Sequence, residues 1–459
     1  MPDEELSLID THCHLEMGQF DPDRGEVIKR AKDAGLEAVI TIASDLQSNP
    51  LAIKLAEEHD FVYCSAGLHP HDAKDFNEDV FNRLSEWASH KKAVAVGETG
   101  LDYHYMHSPK EKQQEVFRRQ AALAVRKGLP VIVHSREAEA DTMAILKESG
   151  LTKGVMHCFS GGMKAAEEAM SMGFYISFAG PVTFKNAKGL KEIALEIPDD
   201  YLLIETDAPY LTPEPLRGKR NEPSYVMHIA GELARLRGVS ARDIARITTL
   251  NARRLFGIGE MPEEGEIAYG IRDSLYLNIT NRCTNRCSFC ISLHSDYVKG
   301  HRLRLAEEPS VRKLKAAIGD PKRYREVVFC GYGEPLLRLD AVKETAAWIK
   351  KTGGRVRINT NGHGNLIHKR NILPELKGIV DAISVSLDAH DEETYKRLCR
   401  PVFDRAFDAV VEFIKDAKQY IPDVEASVVE GEGVDIGKCR EITEKLGVKL
   451  RIRKLDIVG

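Results

Sequence analysis

A chain of 459 residues, 43% apolar and 29% charged, is too long for one ordinary domain and has the make-up of a globular protein, so two domains are expected. No uninterrupted apolar run approaches the roughly 18 residues of a membrane span, and the acidic start, Asp3, Glu4 and Glu5, does not suit a secretory signal. No membrane partner and a cytoplasmic location are therefore expected, and the net charge of −5 is not that of a general polyanion binder.

That charge divides unevenly. Up to Pro262 there are 31 basic and 40 acidic residues, a net of −9; from Glu263 on there are 34 basic and 30 acidic, a net of +4. If the first half handles nucleic acid, metal ions and a local patch must do much of the holding. The nine cysteines are scattered except for three packed into eight residues. An odd number without framework spacing argues against structural disulfides and for a metal centre in a reducing compartment.

The first strand-like run covers 6–14 and ends in Asp10-Thr-His-Cys-His14. Alternation along a strand places His12 and His14 on one face, and neutral imidazoles are common ligands of divalent metals. Further strand-like runs follow at 37–44, 62–70, 93–102, 130–136, 154–160, 175–180 and 202–211, each trailed by a helical stretch such as 113–127. Eight β/α units in about 260 residues predict a TIM (β/α)8 barrel. In that fold the active site lies at the C-terminal strand ends, and those ends are rich in ligand-type residues. They carry His12 and His14, then His69 and His71, then Glu98 and Asp102, then His134, His157, and finally Glu205 and Asp207.

These motifs resemble the TatD family of metal-dependent deoxyribonucleases, among the amidohydrolase-like barrels, over residues 6 to about 258. The motifs are the Asp10 to His14 start, GETGLD at 97–102, HSR at 134–136, HCFSG at 157–161, ETDAPYL at 205–211, RNEP at 220–223 and NARRLF at 251–256. The resemblance implies one divalent ion among His12, His14, Glu98 and Asp207, and a second held by His134 and His157, with Glu98 bridging. The ions would be Mg, Mn or Zn. Two metals suit phosphodiester cleavage by an activated water. Asp207 is the expected base for that water's proton, since a carboxylate touching metal and water needs no large pKa shift. Glu205, two residues earlier on the same face, is expected in a supporting catalytic role beside Glu98. His69 is a candidate contact to the scissile phosphate, or a loop histidine packed by Pro70. Arg220, with Arg217 and Lys219 in the loop 211–223, is the candidate phosphate contact, or part of a solvated charge run. Cys13, Cys64 and Cys158 are expected to pack as small apolar groups.

The stretch 257–265 mixes glycine, proline and acid and reads as a short linker. The boundary falls near 262, dividing the chain into 1–262 and 263–459.

The second half opens with a strand at 274–280 that runs into Cys283-Thr-Asn-Arg-Cys287-Ser-Phe-Cys290. Three thiolates spaced C-x3-C-x2-C can converge; zinc usually takes four ligands, and only His294 and His301 stand near enough to be considered. A [4Fe–4S] cluster on three cysteines keeps one iron open. This pattern resembles the radical SAM superfamily, whose open iron chelates S-adenosylmethionine. The turn Gly331-Tyr-Gly333-Glu334-Pro335 is similar to that superfamily's GGEP turn, with Tyr332 replacing one glycine, and would meet the methionine amino group. Ser386 and Asp388, on one face of a strand end, are candidate contacts to the methionine carboxylate or ribose. Strands at 326–330, 355–362, 381–389, 425–433 and 449–455 complete six, predicting a partial (β/α)6 barrel over about 272–457. Cys330, Cys399 and Cys439 read as isolated packing residues.

Together the modules resemble the TatD-associated radical SAM proteins, fused in one α/β chain. A bifunctional enzyme is expected. The barrel would cut DNA, or else a small phosphoester or amide, or would serve as a scaffold presenting substrate to the radical domain. The second module implies an electron donor such as flavodoxin or ferredoxin.

Overall fold

A computed structural model describes residues 7–431 and 433–454. Leu6, Glu432 and Leu455, at the limits of three expected strands, lie outside the described residues, as do Asp3 to Glu5. The chain divides into two compact units, the first ending at Met261 and the second starting at Pro262. Among the described residues no helix is long and apolar enough to cross a membrane.

The first unit is an eight-stranded parallel sheet in sequential order. Its strands are β1 (Leu8–Cys13), β2 (Leu36–Thr41), β3 (Val62–Ala66), β4 (Ala93–Asp102), β5 (Val131–Arg136), β6 (Gly154–Met156), β7 (Phe174–Phe178) and β8 (Leu202–Ile204). Helices between them cover the outside, so most strands are buried on both faces; β1 and β4 are buried along their whole length. That is why they read as continuous Val, Ile, Leu and Ala runs rather than as alternating ones. Ile9, Ile40, Ile132 and Leu203 form one apolar cluster with Leu255 and Phe256 from the helix Ala241–Phe256. A capping box of Ser240 and Asp243 starts that helix.

The sheet closes where the first motif ends. Cys13 bridges Ala208, His14 N donates to Ala208 O at 2.7 Å, and Asp207 N donates to His12 O at 2.8 Å. Buried amides then set the loops at this end. Asn49 brackets Gly67, donating to its carbonyl and accepting from its N–H. Gln120 does the same for Leu68 and donates to Thr99 Oγ1, while Gln113 brackets Asp102. The expected strands at 37–44, 62–70, 154–160 and 202–211 end early, at Thr41, Ala66, Met156 and Ile204. Their polar tails are the loops that carry the site.

The second unit is a seven-stranded sheet of β9 (Ala268–Ile271), β10 (Ser274–Leu277), β13 (Val327–Phe329), β14 (Val356–Thr360), β15 (Ala382–Ser386), β16 (Asp423–Glu430) and β17 (Lys449–Lys454). Between β10 and β13 the chain forms a small hairpin, β11 (Tyr297–Val298) with β12 (His301–Arg302). Six strands run parallel with helical crossovers, as expected. The seventh, β9, pairs antiparallel with β10. Its four residues, one of them Gly270, follow the linker and carry too little pattern to be read as a strand.

Gly100 shows how tightly the strand ends are packed. Its φ is +136°, and a Cβ there would lie 2.0 Å from the carbonyl oxygen of His134. Gly100→Ala is expected to destabilise the first unit by about 2 kcal/mol, lowering Tm by roughly 4–8 °C in calorimetry. Gly25→Ala, on a helix with nothing within 4 Å of the added carbon, is expected to be neutral or slightly stabilising.

Candidate functional site

The C-terminal end of the first sheet holds a cavity of about 640 Å³ whose wall includes His14, Glu98, His134, His157 and Asp207. Glu98 is at its centre and almost wholly buried. Its two oxygens face different partners. Oε2 lies 3.5 Å from His12 Nε2 and 3.9 Å from His14 Nε2. Oε1 lies 2.7 Å from His157 Nε2, 3.0 Å from His134 Nδ1 and 3.5 Å from His69 Nε2. Asp207 Oδ1 joins the first group, 3.5 Å from His14 Nε2 and 3.7 Å from His12 Nε2. His12, His14 and Glu98 can hold an ion together, as can His69, Glu98 and His134.

Burial would raise the Glu98 carboxyl, but the His157 and His69 rings and hydrogen bonds from His12 and His134 outweigh it and hold it well below the usual range. Asp207 behaves alike: burial opposes ionisation, while the bond from His14 and the charges of the neighbouring rings bring its pKa down. Burial also pulls His69 down to about 4 against the attraction of Glu98. A neutral His69 keeps a lone pair or an N–H for a ligand in the cavity.

Three of the inward-facing rings are held from behind, which fixes which nitrogen faces the cavity. His14 Nδ1 lies 2.8 Å from Ile42 O, with Glu16 Oε1 at 3.5 Å. His134 Nε2 lies 3.1 Å from Asp102 Oδ2, and the same oxygen meets His71 Nε2 at 3.0 Å. His157 Nδ1 lies 3.2 Å from Glu205 Oε1, which also accepts Cys158 N at 2.7 Å. Glu205 therefore stands behind His157, wholly buried, and supports the ring rather than facing the cavity as a second catalytic carboxylate. Asp10 accepts Thr206 N and Thr206 Oγ1 at 2.8 and 2.6 Å and so ties β1 to the loop of Asp207, which turns with a φ of +55°. Burial pushes Asp10 up to about 8.

Arg220 is placed elsewhere than expected. Its guanidinium pairs with Asp23 at 2.8 Å, donates to Gln19 O and lies over the Phe20 ring, away from the cavity wall. The guanidinium at the wall is that of Arg136, the last residue of HSR and of β5, stacked 4.7 Å over Tyr105. The sequence carried the signal for Arg136, Asp102 and Glu16, polar residues inside or beside the motifs, but not which way each would point.

In the second unit Cys283 is exposed and Cys287 and Cys290 are half-buried, all on the loop after β10. His301 has both ring nitrogens engaged, with Glu266 Oε2 at 2.8 Å and Gly270 O at 3.0 Å, so neither is free to turn to the cysteine loop. Three thiols on one loop fit an iron–sulfur group better than a four-ligand zinc site. Cys399 is not isolated: Arg286 N donates to its carbonyl at 2.9 Å, which lays it beside Cys287. Glu334 is buried and accepts Leu336 N, Thr360 Oγ1 and Asn361 N at 2.7–2.9 Å, so its carboxylate organises the turn it belongs to. Burial pushes it up to about 7. Gly331 and Gly333 are required by the protein itself, since a Cβ would lie 2.2 Å from Asn278 Oδ1 and 2.3 Å from Arg282 O. Pro335 starts the short helix Pro335–Arg338. Asp388 is buried after the end of β15, and its Oδ1 accepts Val429 N and an Arg453 N–H at 3.2 and 3.3 Å.

Comparison with known proteins divides at the same place. Residues 9–257 match the TatD related DNase family, and residues 277–446 match the Radical SAM superfamily. A protein of Bacillus subtilis (strain 168) named as an uncharacterised metal-dependent hydrolase, YabD, is 51% identical over 253 residues, 55% of this chain and 99% of its own length. The 3'-5' ssDNA/RNA exonuclease TatD of Erwinia tasmaniensis is 37% identical over 259 residues, 55% of this chain and 100% of its own length. The crystal structure of YJJV, a TatD homologue from Escherichia coli K12, superposes with a TM-score of 0.53 at 32% identity, covering 55% of this chain and 98% of its own.

If Asp102 and Glu205 orient His134 and His157, then Asp102→Asn and Glu205→Gln are each expected to lower divalent-metal affinity about 10–100-fold. Calorimetric titration of the metal-stripped protein with Mn²⁺ measures this; unchanged affinity in both variants would count against that role.

Proposed function

Because this chain belongs to the TatD related DNase family through residues 9–257 and carries a radical SAM domain over 277–446, we propose that it has two activities: hydrolysis of phosphodiester bonds by the barrel, and reductive cleavage of S-adenosylmethionine by the second unit. A metal-dependent hydrolase domain is joined here to a radical SAM domain. The observation that carries the hydrolytic reading is Glu98, whose two oxygens each face a separate set of donor atoms. His12, His14 and Asp207 would hold one divalent ion beside Oε2, and His134 and His157 a second beside Oε1. Two such ions supply an activated water and neutralise charge building on the phosphate and leaving oxygen.

The chain's own residues do the rest. Asp207 is ionised and stands at the cavity wall, so it can take the water's proton. Neutral His69 and the Arg136 guanidinium flank the space where a phosphate would sit, the first as a hydrogen-bond partner and the second as a charge. Single-stranded DNA attacked from its 3′ end is the favoured substrate, on the strength of the exonuclease relative. A small phosphoester is the second reading, favoured by the net charge of −9 up to Pro262, which gives a long polyanion little to hold.

In the second unit, Cys283, Cys287 and Cys290 would hold a [4Fe–4S] cluster, with S-adenosylmethionine beside Gly331 to Pro335, Ser386 and Asp388. That pair supplies one-electron reduction of a sulfonium and a radical able to abstract hydrogen. The loop's exposure, with Cys283 open to solvent, gives an electron donor such as flavodoxin or ferredoxin a place to approach.

The test is hydrolysis of a 3′-labelled single-stranded oligonucleotide by anaerobically purified protein with Mg²⁺ or Mn²⁺. Mononucleotide release that falls more than about 100-fold in Glu98→Gln is expected, since a ligand should matter more than its outer support. Arg136→Gln is expected to raise KM about 10-fold, equivalent to about 1.4 kcal/mol, with a smaller change in kcat. Inert DNA with metal-loaded protein, alongside turnover of a small ester, would favour the second reading. In parallel, reconstituted protein reduced with dithionite should cleave S-adenosylmethionine, and Cys287→Ala should not.

A further inference from the structure

Each cysteine of the loop has a polar neighbour supplied from outside the three. Cys283 Sγ accepts Asn285 N at 3.4 Å and lies 3.7 Å from Asn361 Nδ2. Cys290 Sγ lies 3.1 Å from Ser292 Oγ. Cys287 lies beside Cys399, which is wholly buried at the end of the helix Glu392–Cys399.

These placements are built rather than incidental. Arg286 N donates to Cys399 O at 2.9 Å and Ser288 N to Leu398 O at 2.8 Å, so the backbone on both sides of Cys287 is laid against the helix end that carries Cys399. Val402 N donates to Thr284 O at 3.0 Å and extends the same seam. Asn361 cannot turn its amide around. Its Oδ1 accepts His363 N at 3.0 Å, its own N–H donates to Glu334 Oε2 at 2.7 Å, and its Nδ2 donates to Thr284 Oγ1 at 2.8 Å. The second N–H of that amide is the one left for the sulfur. Behind it, His363 joins Thr284 Oγ1 at 2.9 Å to the Tyr395 hydroxyl at 3.1 Å, and Asn285 Nδ2 donates to the same hydroxyl at 3.0 Å. Burial pulls His363 down to about 4, so this buried ring is neutral and adds no charge beside the loop. Glu334, Thr284, His363, Tyr395 and Asn285 are thus spent on holding the one amide that faces Cys283.

Hydrogen bonds to ligand sulfurs are among the factors that set a cluster's reduction potential. Adding an electron increases the negative charge on the sulfurs, and a donor pointed at them stabilises the reduced form more than the oxidised one. We propose that Asn361, Cys399 and Ser292 are positioning residues for the iron–sulfur centre, one donor to each of Cys283, Cys287 and Cys290, and that together they raise its potential to a value a protein electron donor can reach. This rests on the reading of those three cysteines as the cluster ligands.

The experiment uses full-length protein reconstituted anaerobically with iron and sulfide. Iron and sulfide contents are measured first, then the midpoint potential by titration with dithionite followed by electron paramagnetic resonance. Asn361→Leu, Ser292→Ala and Cys399→Ala are expected to load iron as the parent does and to shift the midpoint to more negative values. Cys399→Ser, which keeps a donor, is expected to return it toward the parent value. Loaded variants whose midpoints equal the parent's would overturn the proposal. Loss of iron in both Cys399→Ala and Cys399→Ser would overturn it for Cys399, marking that residue as a ligand instead. Ser292 sits on a half-exposed turn, so Ser292→Ala keeps the test open if the buried variants fail to fold. A parent protein that assembles no cluster would instead overturn the reading of the three cysteines, a different failure with a different readout.

Discussion

The first unit is arranged around one buried negative charge. An isolated carboxylate taken out of water costs several kcal/mol even after relaxation, and Glu98 is almost completely enclosed. It is tolerated because five imidazoles converge on it from four loops and strand ends. Metal ions would strengthen that compensation, and the rings turn nitrogen atoms toward the places where ions would sit. The rest of the strand-end architecture follows from keeping those rings in place. Glu16 and Glu205 are each spent on one ring and Asp102 on two, those of His134 and His71, and Asn49, Gln113 and Gln120 hold the loops between them.

The second unit meets a related demand with softer chemistry. Its three thiols are gathered on one loop rather than on several strands, so the sheet does not bring ligands together; it steadies the loop. Glu334, at the end of β13, reaches Thr360 and Asn361 at the end of β14, and Asn361 reaches the cysteine loop after β10. Three neighbouring strand ends are thereby linked through one carboxylate and one amide. In both units polar side chains at the C-terminal strand ends form the site, and the apolar runs beneath them supply rigidity.

The periodicity of the sequence was enough for the eight parallel strands of the first unit and the six of the second, because buried parallel strands leave long apolar runs that end abruptly in polar residues. It placed the strand ends too far along at Thr41, Ala66, Met156 and Ile204, since a motif rich in His, Gly and Asp does not announce whether it is the last turn of a strand or the first of a loop. The cluster of His12, His14, Glu98, His134, His157 and Asp207 could be anticipated because each residue lies near the C-terminal end of an expected strand, within a motif that resembles a metal-dependent family. Direction could not. Glu205 and Asp207 are two apart, yet one faces backward and the other into the cavity, because the strand has already ended and the chain turns at Asp207. Of the arginines only Arg220 stood out in the sequence as a phosphate contact; the fold shows that Asp23 takes it and that Arg136 stands at the wall. Cys399 lies more than a hundred residues from Cys287, a separation no local spacing rule spans.

The closure of the barrel has a consequence for how the protein comes into being. His12 and His14 are made 195 and 193 residues before Asp207. The bridge of Cys13 to Ala208 and the grip of Asp10 on Thr206 join those two ends. A nascent chain that has not reached Asp207 therefore has Glu98 and the histidines around it but neither the second carboxylate nor the bridge that closes the sheet. On the ribosome the closing of the sheet and the arrival of the last of the four donors, His12, His14, Glu98 and Asp207, therefore fall together in one step.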